Sequence, residues 1–207
     1  MSVSLAETAL LIVDLQNDFL HPEGAYGRAG QGSDAIAALP ERIAPVAAAL
    51  RAAGGSVVST QFTLVPGRHD EPLIAPHLKS LRPFLGKGDF APGSWGHSLV
   101  DTLAPADFIV EKVAYSAFYM SRLELVLRRA GLKRLIVCGI VTNGGVAATL
   151  RGAHVRDFET ILLSDGCGAF RPEVHDVTIA SLSTVSPLMT CDEALAQIGA
   201  AAVAPSV

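Results

Sequence analysis

Charge is scarce in this sequence. Asp, Glu, Lys and Arg together make up 17% of its 207 residues, and the net charge is −4. No block of Lys and Arg occurs, and no basic run is interleaved with aromatic side chains. The electrostatic footprint of a nucleic-acid-binding surface is therefore missing, and no nucleic acid partner is expected. Cysteine is sparse as well. Cys138, Cys167 and Cys191 are odd in number and irregularly spaced, so they suggest neither a disulfide framework nor a CxxC zinc pattern. Long apolar runs are absent too. A membrane span takes about 20 apolar residues. The run Ala9–Val13 is short, lacks a basic flank and stops at Asp14, unlike a signal peptide. A cytoplasmic protein with no membrane partner is expected. The Gly144–Gly145 pair has neither GxxxxGK[ST] nor GxGxxG around it, so it is not read as a phosphate loop.

Apolar residues are plentiful, at 50% of the chain. That suits one domain over residues 1–207 with a sizeable core, and the excess also suits a subunit interface. Continuous apolar runs of strand length fall at Ala9–Asp14, Ser56–Gln61, Phe108–Glu111, Arg134–Gly139, Thr160–Ser164 and Pro187–Thr190. They lack alternation, as strands buried on both faces do. Between and after them, helices are expected over Asp34–Ala53, Met120–Ala130, Asn143–Asp157, Pro172–Thr184 and Asp192–Gly199. This order predicts an α/β fold, a three-layer α/β/α sandwich around a mostly parallel six-stranded sheet. A long stretch from Phe62 to Ala106 holds six of the twelve prolines and has no clear period. Such insertions often serve as lids or oligomer arms.

Open α/β sheets bind ligands beyond the carboxyl ends of their strands. Asp14 ends the first strand, Lys112 follows the third, Thr142, Asn143, Gly144 and Gly145 follow the fourth, and Asp165 follows the fifth. An aspartate placed after five apolar residues is costly to bury alone. A nearby lysine would relieve that cost and tune the carboxyl as an acid or base. The competing reading makes Asp14 a cap and Lys112 a surface residue. The junction of LIVCGIV, TNGG and VAATLRGAHVRDF also directs backbone N–H groups at a helix start towards any anion held there.

Three segments carry a resemblance: LLIVDLQNDF, EKVAYSAF and GIVTNGGV. In this order, and together with GSWG (residues 93–96) and LLSDG (162–166), the chain resembles the isochorismatase-like hydrolases, also called cysteine hydrolases. The likeness runs from about Leu10 to Glu193 and implies the Rossmann-like isochorismatase-like fold, no cofactor, and a homodimer or homotetramer acting on a small molecule. It implies that Asp14 is the catalytic acid/base and that Lys112 pairs with it and with the substrate. The peptide bond before Thr142 is implied to be cis. Position 145 is where most of the family carries the nucleophilic cysteine, and here it is Gly145. Tyr115 matches a pocket tyrosine. Val141 stands where isochorismatases have a tyrosine. The turn residues Thr142, Asn143 and Gly144 are implied to contact substrate. Phe19 and Phe118 are expected in the core or the pocket wall. Trp95 is expected to anchor the insertion and to help line the pocket. His175 is expected to be structural. The nicotinamidase branch binds a metal through an Asp-x-His cluster; here that place reads Thr60-Gln-Phe-Thr-Leu64, and His69 and His77 lack a partner carboxylate. No metal site is expected.

Glycine cannot act as a nucleophile, so covalent attack from position 145 is excluded. Cys138 lies inside a strand and reads as packing, and Cys167 reads as a structural thiol rather than a relocated nucleophile. Members with Gly at this position cleave a vinyl ether without a covalent intermediate. The expectation is therefore a hydrolase that works through Asp14 and Lys112 on a vinyl ether or a related C–O or C–N bond. Two alternatives stay open: a small-molecule-binding homologue that has lost the chemistry, and an introduced replacement of Cys by Gly145.

Overall fold

The computed structural model describes residues 3–203. Its sheet consists of Thr8–Val13 (β1), Ser56–Phe62 (β2), Phe108–Lys112 (β3), Arg134–Ile140 (β4), Glu159–Gly168 (β5) and Leu188–Met189 (β6). All pairings are parallel, in the order β3-β2-β1-β4-β5-β6. Every residue of β1 is buried, which is why its sequence runs apolar without alternation. The chain enters at the middle of the sheet, runs out to β3, and then crosses back to the other side of β1. The strand order thus reverses between β1 and β4, and a crevice opens beyond their carboxyl ends.

Nine helices surround the sheet in the described residues: Asn17–Leu20 (α1), Ala25–Arg28 (α2), Asp34–Ala37 (α3), Leu39–Ala52 (α4), Pro76–Leu81 (α5), Leu123–Arg129 (α6), Ala147–His154 (α7), Pro172–Leu182 (α8) and Cys191–Val203 (α9). Successive side chains of a strand point to opposite faces. Leu10 and Ile12 therefore pack on Ile43, Val46 and Leu50 of α4 and on Ala194 and Ile198 of α9. Ala9, Leu11 and Val13 pack on Leu123 and Leu127 of α6, Leu150 and Ala153 of α7, and Leu182 of α8. The three-layer architecture follows from these two cores.

Several boundaries differ from the sequence reading. The helix expected over Asp34–Ala53 breaks at Ala38, because Pro40 lacks an N–H and opens a new helix instead of continuing the old one. The helix expected from Met120 begins at Leu123, since Met120 sits at φ 48°. The helix expected over Asn143–Asp157 divides into a π turn at Thr142–Val146 followed by α7, and Asp157 is left-handed at φ 61°. β5 runs past Ser164 to Gly168, which puts Asp165 inside the strand, whereas β6 holds only two residues.

Residues of the 62–106 stretch form a third small core. Leu64, Leu85 and Phe90 pack with Ala25 and Tyr26, and Phe62, Phe84 and Phe170 border them. This aromatic cluster roofs the crevice. Among the described residues no helix is long and apolar enough to cross a membrane.

Candidate active site

Asp14 leaves β1 in the left-handed region, at φ 57°, a conformation aspartate tolerates better than most residues. Its N–H still donates to Thr60 O of β2 at 3.2 Å. The turn directs a buried carboxylate across the end of the sheet. Oδ1 accepts from Thr60 Oγ1 at 2.9 Å, and Oδ2 lies 2.7 Å from Lys112 Nζ. Lys112 closes β3, so its side chain must pass over the end of β2. It does so above Phe62, with Nζ 5.3 Å from the ring centroid, and it also donates to Ala114 O at 2.8 Å. Both partners are almost fully buried, and neither charge would be tolerated there without the other. Burial has the largest effect on the Asp14 carboxyl and pushes its pKa above the ordinary aspartate value; Lys112 and Thr60 pull it down by less.

The third contributor to the site follows β4. The peptide bond Ile140–Val141 is cis, one residue earlier than the bond expected before Thr142. The chain then turns through Thr142–Val146 into α7. Thr142 Oγ1 and His175 Nδ1 are 2.8 Å apart, which ties this turn to α8. Gly145 faces the carboxylate. A Cβ built on it would lie 3.3 Å from Asp14 Oδ2, 3.3 Å from Val13 Cγ1 and 3.0 Å from Ile140 O. Asp14, Lys112 and Gly145 therefore share one end of a cavity of about 350 Å³. Phe19, Tyr26, Phe62 and Phe170 form its aromatic wall, with Tyr115 and Val141 at the turn side. Its size suits a small molecule, and its apolar walls surround few polar groups, the usual composition of a ligand site.

The Isochorismatase domain family matches residues 8–193. The chain belongs to the isochorismatase family. It is similar to the ureidoacrylate amidohydrolase RutB of Azorhizobium caulinodans, with 35% identity over 96% of this chain and 94% of that protein. Among solved structures it is similar to a cysteine hydrolase from Pseudomonas syringae pv. phaseolicola, with a TM-score of 0.82, 25% identity and coverage of 97% and 96% of the two chains. An isochorismatase family protein from Desulfovibrio vulgaris superposes with a TM-score of 0.77 at 26% identity, covering 94% and 98%. The chain is a hydrolase with the isochorismatase-family fold.

Within this isochorismatase-family fold, Asp14, Lys112, Gly145, Phe19, Tyr115 and Val141 line the main cavity. Asn143 and Gly144 line an adjoining cavity of about 580 Å³, which Tyr115 and Val141 also border. Thr142 is fully buried beneath the turn, behind the surface that a ligand would touch. Two expected pocket residues lie elsewhere. Trp95 is 50% exposed, with its ring edge on His21 and its carbonyl accepting from Asn17 Nδ2. The segment does anchor the insertion, but the indole takes no part in the cavity wall. Phe118 packs on Phe158 in the core beneath α7, with Arg156 over its ring.

The sequence reading missed Tyr26, Phe62, Arg82 and Phe170, all of which line the cavity. None is a polar residue at a strand end: Phe62 closes β2 in register with Lys112, Tyr26 lies on α2, Phe170 follows β5, and Arg82 reaches the cavity from the folded insertion. His77, read as a solvated loop histidine, sits exposed on α5 at the cavity rim. The three thiols are buried and none lines the main cavity. Burial pushes all of them up, Cys191 to about 12, so none is a ready thiolate.

Proposed function

We propose that this protein hydrolyses a C–N bond of a small amide or ureide by direct attack of water, with no covalent enzyme intermediate. One observation carries this reading. Asp14 Oδ2 is held at 2.7 Å by Lys112 and faces the side of Gly145 on which a side chain would stand. In the proposed reaction Gly145 occupies the position where cysteine members of the family carry their nucleophile. Asp14 takes a proton from water as the water oxygen bonds to the substrate carbonyl carbon. The oxygen that becomes negative is stabilised by Lys112 and by N–H groups of the Val141–Gly145 turn. The C–N bond then breaks, and the proton on Asp14 passes to the leaving nitrogen, giving an acid and an amine. A carboxyl with raised proton affinity suits both transfers near neutral pH. The relatives named amidohydrolases support a C–N bond over a vinyl ether as the target.

The test is a screen of amides, ureides and vinyl ethers read by mass spectrometry, repeated with Asp14→Asn. The expected result is turnover of a C–N substrate that Asp14→Asn abolishes, with no adduct in the intact-protein mass. Full activity in Asp14→Asn would remove Asp14 from the chemistry. A second reading, a binding protein without turnover, draws on the lack of any nucleophilic side chain at Gly145 and on the burial of all three thiols. It predicts ligand binding with no product after long incubation.

A further inference from the structure

The cavity that adjoins the proposed reaction site carries positive charge with little to offset it. Arg82, Arg151 and Arg171 line it, and among the described residues no Asp or Glu does. The whole chain, by contrast, has a net charge of −4. Arg82 Nε donates to Tyr26 Oη at 2.7 Å, and Arg151 Nη2 donates to Ser181 Oγ at 3.4 Å; both acceptors are neutral. Burial pushes the Tyr26 phenol up, which keeps it so. Arg171 Nε lies 3.8 Å from Glu173 Oε1, but their side chains are 73% and 68% exposed, so solvent screens the pair.

Arg171 also breaks a local rule. It holds the N-cap position of α8, where Ser, Thr, Asp or Asn is preferred, and its side chain caps nothing. The start of a helix is its positive end, so a cation there is disfavoured. A second positive end meets the same cavity. The turn Thr142–Val146 leads directly into α7, and Asn143 and Gly144 near its start line the wall. Charges of one sign gathered in a concavity, at a cost to the fold, concentrate a ligand of the opposite sign. A single carboxylate is satisfied by one guanidinium fork, whereas a phosphate group, doubly charged and with three free oxygens, engages several. We infer that the adjoining cavity binds a phosphate group, either free or carried on a small organic molecule. Arg82, Tyr115, Val141 and Phe170 border both cavities, so a phosphate bound here and a group beside Asp14 can belong to one ligand. The inference stands apart from the proposed hydrolysis, because phosphate binding requires no turnover.

The probes are inorganic phosphate, acetate and 2-ureidoethyl phosphate, titrated by calorimetry at matched ionic strength and about pH 8, where phosphate is doubly charged. Wild type is expected to bind phosphate about tenfold or more tightly than acetate. Arg151→Gln and Arg171→Ser should each weaken phosphate binding severalfold, and the double variant by about tenfold or more. Arg171→Ser has a second readout. Without phosphate it should melt about 2 °C or more above wild type, because serine caps α8 and the misplaced cation is gone. A purely structural role for Arg171 would not combine higher stability with weaker phosphate binding. The ureide probe separates the two sources of the phosphate group. Binding about tenfold tighter than inorganic phosphate, with the gain lost in Phe62→Ala, assigns the group to a ligand that enters the main cavity, which Phe62 lines. Equal binding of the two assigns it to free phosphate. Equal affinity of wild type for phosphate and acetate, no measurable phosphate binding, phosphate affinity unchanged in the double variant, or an Arg171→Ser protein that melts below wild type would each overturn the inference.

Discussion

Lys112 reaches Asp14 across an intervening strand. Its Nζ lies 2.7 Å from Oδ2, although β2 separates β3 from β1. Removing one partner of such a buried pair leaves the other charge stranded, at about 3–5 kcal/mol. Lys112→Met is expected to destabilise the fold by that order near neutral pH. Asp14 already has a raised pKa in the folded protein, and losing Lys112 raises it further. A raised folded-state pKa stabilises the protein while the group is protonated, and that stability is lost as pH rises through the folded-state value. The loss in Lys112→Met should therefore shrink as pH is lowered. Urea denaturation at several pH values checks this, and a loss that does not vary with pH would contradict it.

The same shift sets a pH profile for activity. As the base that accepts a proton from water, Asp14 must be ionised, so kcat/KM should fall as pH drops through its raised pKa. The acid limb is expected above the ordinary aspartate range. Thr60 Oγ1 donates to Oδ1 and favours the ionised form. Thr60→Val should move the limb upward. A limb that stays fixed in Thr60→Val would assign it to another group.

Gly145 leaves no slack beside the carboxylate. A methyl group there would meet Ile140 O at 3.0 Å and Asp14 Oδ2 at 3.3 Å. The carbonyl belongs to the backbone and yields little. Gly145→Ala is expected to lower kcat on the order of tenfold or more by displacing the reacting groups. Its melting temperature should fall only modestly. Turnover equal to wild type would show that the reaction does not pass beside Gly145.

Trp95 and Phe170 give a paired test of the cavity wall. The indole of Trp95 lies outside the cavity, whereas Phe170 lines it and stacks on Tyr26. Phe170→Ala should raise KM by roughly tenfold through lost aromatic contact. Trp95→Ala should leave KM within about twofold. The opposite ranking, measured by steady-state kinetics, would relocate the binding wall.

The sheet and its polar strand ends were legible in the sequence because both are local. A strand buried on both faces must read as an unbroken apolar run, and Asp14 interrupts such a run where β1 ends; Lys112 closes β3, the edge strand, whose Ile109 and Glu111 are exposed. The α/β layering and the crevice follow from the order of those runs. Helix boundaries were less legible where single residues overrode the pattern, as at Pro40 and Met120. The aromatic wall was not legible at all. Tyr26, Phe62, Arg82 and Phe170 lie far apart along the chain and look like ordinary core or surface residues, and they meet only when α2, the ends of β2 and β5 and the insertion pack together. The sequence thus determined the types and order of the chemical groups. The tertiary structure decided that Lys112 reaches Asp14 rather than solvent, that Phe118 belongs to the core, and that Arg82 faces the cavity with its charge unpaired. Those outcomes depend on long-range packing, which no local pattern of residues encodes.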